Sequence, residues 1–150
     1  MTNNTELIVQ WPTHAYVPGQ NERHPEHAFY ALTSSVKPTL SVEELSQSLA
    51  FRHGLIYLDS GYYWEAHEVF EPIWLVLPKD SGERLFVQGL IQLANAYLKY
   101  KMQRPKASLR LCQLARELIT QMELAEIMGV NCASILTRIK RLESTVRVGR

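Results

Sequence analysis

The sequence predicts an all-α protein: a compact multihelical bundle of about five helices preceded by an extended, Pro-containing N-terminal arm. Three observations carry that expectation. Apolar residues recur at helical spacing from Ser41 onwards, and no segment alternates with period two for long enough to make a convincing strand. Helix-capping residues punctuate the same region. By contrast, residues 1–40 contain Pro12, Pro18, Pro25 and Pro38, which exclude a long regular helix there. The expected organisation is an arm over residues 1–40 packed on a helical bundle over residues 41–150. Trp11, Tyr16, Phe29 and Tyr30 give the arm something to bury, which argues against a disordered tail.

Taken in order, Ser41 with Glu44 forms a capping box that opens the first helix, carried by Leu45, Leu49 and Ile56 to about Leu58. Asp59-Ser60-Gly61 is a turn. The second helix runs from about Tyr62 to Leu77, and Pro72 within it should kink or divide it. Asp80 with Glu83 reads as another capping box, opening a third helix to about Met102. Pro105 suits the first turn of a fourth, which reaches the 120s and ends before Gly129. Asn131 can cap a last helix with Ile135, Ile139, Leu142 and Val146 on one side.

At 150 residues, 46% hydrophobic and 21% charged, the chain suits one soluble domain whose core needs no covalent staples. The net charge of +1 offers no global field for a polyanion, although residues 1–98 are acidic and residues 99–150 basic. Cys112 and Cys132 have no metal-ligand spacing, so free buried thiols in a reducing cytoplasm are expected. The polar start MTNNTELIVQ does not read as a signal peptide. No apolar run reaches the ~20 residues of a spanning helix.

The stretch GYYWEAHEVFEPIW, Gly61 to Trp74, concentrates the chemistry. With Trp64 at zero and about 100° per residue, Val69, Ile73, Ala66, Leu77 and Phe70 fill an apolar arc from about 140° to 240°. Trp74 and His67 continue it at about 280° and 300°, Glu71 follows at about 340°, and Glu65 faces away towards solvent. His67 and Glu71 are therefore neighbours at i, i+4. Such a pair could supply two ligands to a divalent metal, or Glu71 could fix the His67 tautomer for acid–base work. It could equally be structural, locking adjacent helix ends. The single histidine excludes a zinc-protease helix, and no metal is expected. On the next helix Gln88, Gln92, Asn95 and Lys99 form a narrow stripe of mostly uncharged amides, which suggests partial burial. That stripe is either a polar seam or a wall facing His67 and Glu71. Gly89 and Ala96 permit another helix to approach closely.

GYYWEAHEVFEPIW, FVQGLIQLANAYLKY and PKASLRLCQLA together resemble the family catalogued as domain of unknown function 309. Gly61, Trp64, Glu65, Ala66, His67, Glu68, Glu71, Trp74, Gln88, Gly89 and Gln92 carry the resemblance. AYVPGQNERHPE is similar to the family's N-terminal arm, and MGVNCASILTRIKRL to its last helix. The resemblance implies a compact multihelical bundle and no stated activity. Two features depart from the pattern: Pro72 enters the motif helix, and Lys99 with Tyr100 replaces a histidine-bearing position, which counts further against a metal.

Residues 121–142 also imitate a helix-turn-helix, with Ala125, Gly129, Val130 and Ile135 at small, turn and core positions. Arg138, Lys140 and Arg141 would then supply phosphate contacts. The family resemblance already accounts for the segment, so nucleic acid is not the expected partner. The reading is a small polar site: His67 as base with Glu71 orienting it, and Trp64, Glu68, Trp74, Gln88 and Gln92 binding a ligand. The alternative is a protein-interaction module in which the His/Glu pair is structural. The expected partner is a small molecule, another protein or a second copy of the chain, with no membrane partner. The residues leave open whether the site is catalytic and name no cofactor.

Overall fold

Local capping sets the helix starts. In the computed structural model, which describes residues 7–149, Ser41 accepts the Glu44 amide at 3.1 Å while the Glu44 carboxylate accepts the Ser41 amide at 2.9 Å. Both halves of the expected capping box are thus made. Asn131 caps the last helix as expected, accepting from the Ser134 amide at 2.9 Å. The first six residues of the expected arm, and Arg150, lie outside the described residues.

The elements in order are α1 (Tyr30–Thr33), α2 (Val42–Ser46), α3 (Leu49–Ser60), α4 (Tyr63–Val76), α5 (Gly82–Lys101), α6 (Pro105–Thr120), β1 (Glu126–Ile127), β2 (Val130–Asn131) and α7 (Cys132–Val148). Among the described residues the protein is all-α apart from one antiparallel β1–β2 pair. Among the described residues no helix is long and apolar enough to cross a membrane.

Two local expectations need correction, and two others fall within the expected bounds. The helix expected from Ser41 to about Leu58 is two helices, because Ser48 accepts from the Phe51 amide at 3.2 Å and starts α3 afresh. A serine side chain that satisfies backbone groups outside the helix competes with helix continuation. The cap of α5 is Ser81, not Asp80 with Glu83: Ser81 accepts from the Arg84 amide at 3.1 Å and donates to the Pro78 carbonyl at 2.7 Å. Of the two effects expected of Pro72, a kink or a division, division does not occur: only one turn follows it, and buried Ile73 and Leu77 hold that turn on the core. As expected, α6 ends before Gly129, at Thr120, and residues 126–131 form a hairpin. Glu123, Met128 and Gly129 have φ of 50°, 50° and 77°, which no α-helix accommodates. Paired positive φ at Met128 and Gly129 suits a two-residue hairpin turn. The first helix of the imagined helix-turn-helix is therefore missing.

Successive helices pack on one another, α3 on α4, α4 on α5, α5 on α6 and α6 on α7, as short connections require. Tyr63 stacks on Tyr97 at 4.5 Å, and the Arg84 guanidinium lies over Trp74 at 4.2 Å, so α4 and α5 run antiparallel. Gly61 ends α3 in the left-handed region at φ 88°, where glycine has no Cβ penalty. The close approaches rest on small residues. A Cβ at Gly54 would lie 2.3 Å from the Phe70 ring, and one at Gly89 would lie 2.7 Å from Ile119. Ser108 donates to the Ala96 carbonyl at 2.8 Å, so the expected close approach at Gly89 and Ala96 is made by α6. Phe51, Tyr57, Phe70, Phe86, Leu90 and Leu93 are sealed in the core, each worth roughly 1.5–3 kcal/mol of apolar burial. Cys112 and Cys132 are free and buried.

The described part of the arm, residues 7–40, lies on the bundle but is not uniformly extended. It turns at Val17–Gln20, where the Gln20 amide donates to the Val17 carbonyl at 2.9 Å, and it contains α1. Of its aromatics, Phe29 is buried, whereas Trp11 and Tyr30 remain 56% and 69% exposed.

Candidate functional site

Helix α4 presents Trp64, His67, Glu68 and Glu71 along one side, as its spacing requires. The His67 Nδ1 lies 3.0 Å from the Trp64 carbonyl. A carbonyl only accepts, so Nδ1 carries the hydrogen and Nε2 is the nitrogen left for chemistry. Nε2 sits 3.4 Å from the Glu71 carboxylate. One ligand atom each from His67, Glu68 and Glu71 lies within 4.8 Å of the others. A ring nitrogen freed by a carbonyl bond at its opposite nitrogen is the usual orientation of a metal-bound histidine. The side chains of His67 and Glu71 are 23% and 53% exposed, so the group opens to solvent.

Two adjoining clefts flank this face and share Thr33 and Glu68. One, of about 200 Å³, is lined by Glu68, Glu71, Pro72 and Leu75. The other, of about 290 Å³, lies between the arm and α4, with Arg23, His24, Phe29, Trp64 and Glu68 in its wall. Trp74 is engaged by Arg84, and its indole N–H is buried without a partner among the described residues. Gln88 and Gln92 are half-buried on α5, and no hydrogen bond joins either to His67 or Glu71 among the described residues.

Glu65 overturns the helical-wheel expectation. Instead of facing solvent it is fully buried. Its Oε2 accepts the Tyr16 amide at 2.8 Å and lies 2.6 Å from His24 Nε2. Its Oε1 is buried with no partner among the described residues. Ionisable groups are rarely interred unless paired, and here the arm supplies the partners. His24 is held between rings, with His14 at 4.4 Å, Phe29 edge-on at 5.0 Å and Trp64 at 5.8 Å. Two further buried polar groups anchor the arm. His53 Nε2 accepts the Gln10 amide at 3.0 Å, and the Tyr57 hydroxyl donates to the Gln10 carbonyl. Burial pushes the Tyr57 hydroxyl up to about 12, with Glu65 adding to the rise, so it stays a donor.

Sequence reasoning missed Arg23, His24, His53 and the burial of Glu65. One signal was present: Glu65, at about 100°, borders the apolar arc that begins near 140°. A short acidic side chain there cannot reach far from whatever covers the arc. Which segment covers it was not written in α4.

The basic face expected of residues 121–142 is likewise altered. Arg138 turns back onto the bundle, donating to Asp59 at 2.6 Å and to the Leu58 carbonyl at 3.0 Å, while Lys140 and Arg141 are exposed.

Residues 51–111 match the model of a family described as Domain of unknown function (DUF309), which supports the resemblance stated from the motifs. The match spans α3, α4, α5 and the first turns of α6, and thus includes Glu65, His67, Glu68 and Glu71 but not the arm. Comparisons with curated proteins and with solved structures found no match.

Proposed function

We propose that this protein binds a small polar molecule against the face of α4 formed by Trp64, His67, Glu68 and Glu71, with His67 as its acid–base group. The Trp64 carbonyl fixes the His67 ring through Nδ1, and the Glu71 carboxylate accepts from Nε2 when the ring carries its second proton. Ligand contacts from Trp74 and from Gln88 and Gln92 on α5 are part of the same proposal. The observation that supports this most directly is the His67 Nε2, 3.4 Å from Glu71, on a helix face whose Trp64, Glu68 and Glu71 line two clefts, although His67 itself lines neither. An exposed i, i+4 pair contributes only a few tenths of a kcal/mol to stability, so folding alone gives little reason for the arrangement. A second reading is favoured by the 4.8 Å grouping of His67, Glu68 and Glu71: the same face takes a divalent cation that the ligand completes.

A library of small polar metabolites titrated into isotope-labelled protein tests the first reading. A binder should shift the His67 ring and Trp64 indole signals in the wild type and fail to bind His67→Gln. Binding untouched by His67→Gln and Glu71→Gln would remove the reading. Zinc and manganese titrations decide the second: saturable binding lost in Glu71→Gln supports it, and no saturable binding ends it.

A further inference from the structure

His24 and Glu65 make a centre that the role of His67 does not use. Glu65 Oε2 is occupied by the Tyr16 amide and His24 Nε2, which leaves His24 Nδ1 as the second nitrogen of the ring. Nδ1 makes no hydrogen bond among the described residues. It is not one of the polar atoms sealed without a partner, which among the described residues are Glu65 Oε1 and the Trp74 indole nitrogen. His24 is only 7% exposed, yet it lines the 290 Å³ cleft, so its unpartnered nitrogen opens there or into the adjoining cavity under the arm. In the neutral ring, with Nε2–H donated to Glu65, Nδ1 presents a lone pair, an acceptor held in place by a buried carboxylate.

The charge of the cleft narrows the ligand. Its wall carries the carboxylates of Glu26 and Glu68 against one cation, Arg23, and that guanidinium lies over the Trp64 ring at 5.7 Å. Glu65 adds a buried carboxylate behind His24, and Phe29 and Tyr30 add aromatic walls. An anion would meet more negative than positive groups. A cation would meet carboxylates, ring faces and a histidine acceptor, which is the chemistry that recognises an ammonium group. Arg23 shows that the Trp64 face accommodates a positive charge.

We propose that the arm–α4 cleft is a recognition site for a small organic ammonium ion. The ammonium N–H donates to His24 Nδ1, Glu65 fixes the histidine through Nε2, and Glu26 and Glu68 balance the ligand charge. The aliphatic part lies along Trp64 and Phe29. No bond is made or broken. The site shares Trp64 and Glu68 with the face proposed above but depends on neither His67 nor Glu71.

Butylammonium chloride titrated into protein carrying ¹⁵N-labelled histidine tests this at fixed pH and ionic strength, with sodium butyrate and butanol as matched controls. The amine should shift His24 Nδ1 and the Trp64 indole saturably, and neither control should. Glu68→Gln should weaken binding about tenfold, and Glu65→Gln, where it folds, at least as much. His67→Gln should bind the amine like the wild type, so failure of the His67 site and failure of this one are separable. His24 unmoved by the amine, or moved equally by butyrate or butanol, overturns the proposal without recourse to a variant.

Discussion

His53 accepts the amide of Gln10 at Nε2, 3.0 Å away, while its Nδ1 lies 2.9 Å from the Leu49 carbonyl. Only the neutral ring does both, donating at Nδ1 and accepting at Nε2. Burial lowers the pKa of His53 below its ordinary 6.5, opposed by its bond to Leu49 and assisted by nearby Arg52. The unfolded chain therefore binds the proton more readily than the folded one. The stabilisation is present above the unfolded value near 6.5 and is lost as the pH falls through the folded value. Urea midpoints between pH 7.5 and 5 should fall more steeply for the wild type than for His53→Gln. Hydrogen exchange at Gln10 should quicken over the same range, and equal slopes in the two proteins would contradict the assignment.

Glu65→Ala strands the Tyr16 amide and leaves His24 buried without its carboxylate. Removing one partner of a buried pair costs about 3 kcal/mol or more. The loss should appear in the urea midpoint, together with faster exchange at Tyr16. A change near zero would mean that the arm does not depend on this carboxylate.

His67→Gln and Glu71→Gln should behave in the opposite way. That pair is part-exposed, and each substitution should change stability by less than about 0.5 kcal/mol. Calorimetry of the single and double variants checks the contrast with Glu65. A loss of about 2 kcal/mol would make the pair structural instead.

At Gly54 two effects compete. Alanine gains about 1 kcal/mol of helix propensity, but its Cβ would meet the fully buried Phe70 ring at 2.3 Å. Overpacking a sealed core typically costs about 1–3 kcal/mol, and the Phe70 ring is fully buried. Gly54→Ala should therefore lower the melting temperature, whereas a rise would show that α3 and α4 separate easily.

The helices were legible because their determinants are local. Ser41 with Glu44, Pro105 and Asn131 act within one turn, and the apolar spacing from Tyr63 to Val76 needs only a helix and a core to pack against. His67 and Glu71 were legible for the same reason, since a separation of four residues fixes their adjacency. Local competition between neighbouring side chains set the remaining boundaries, such as Ser48 and Ser81, and a single periodicity does not rank such rivals.

Tertiary structure alone decided the fate of Glu65. Its partners Tyr16 and His24 lie 49 and 41 residues earlier in the chain, on an arm with no periodic pattern to say which helix it covers. The wheel of α4 marks where apolar surface must be hidden, because the hydrophobic effect depends on composition and spacing. It does not mark what hides the flank beside that surface. There a carboxylate is tolerated only when distant hydrogen-bond donors arrive, and their arrival is a property of the folded chain.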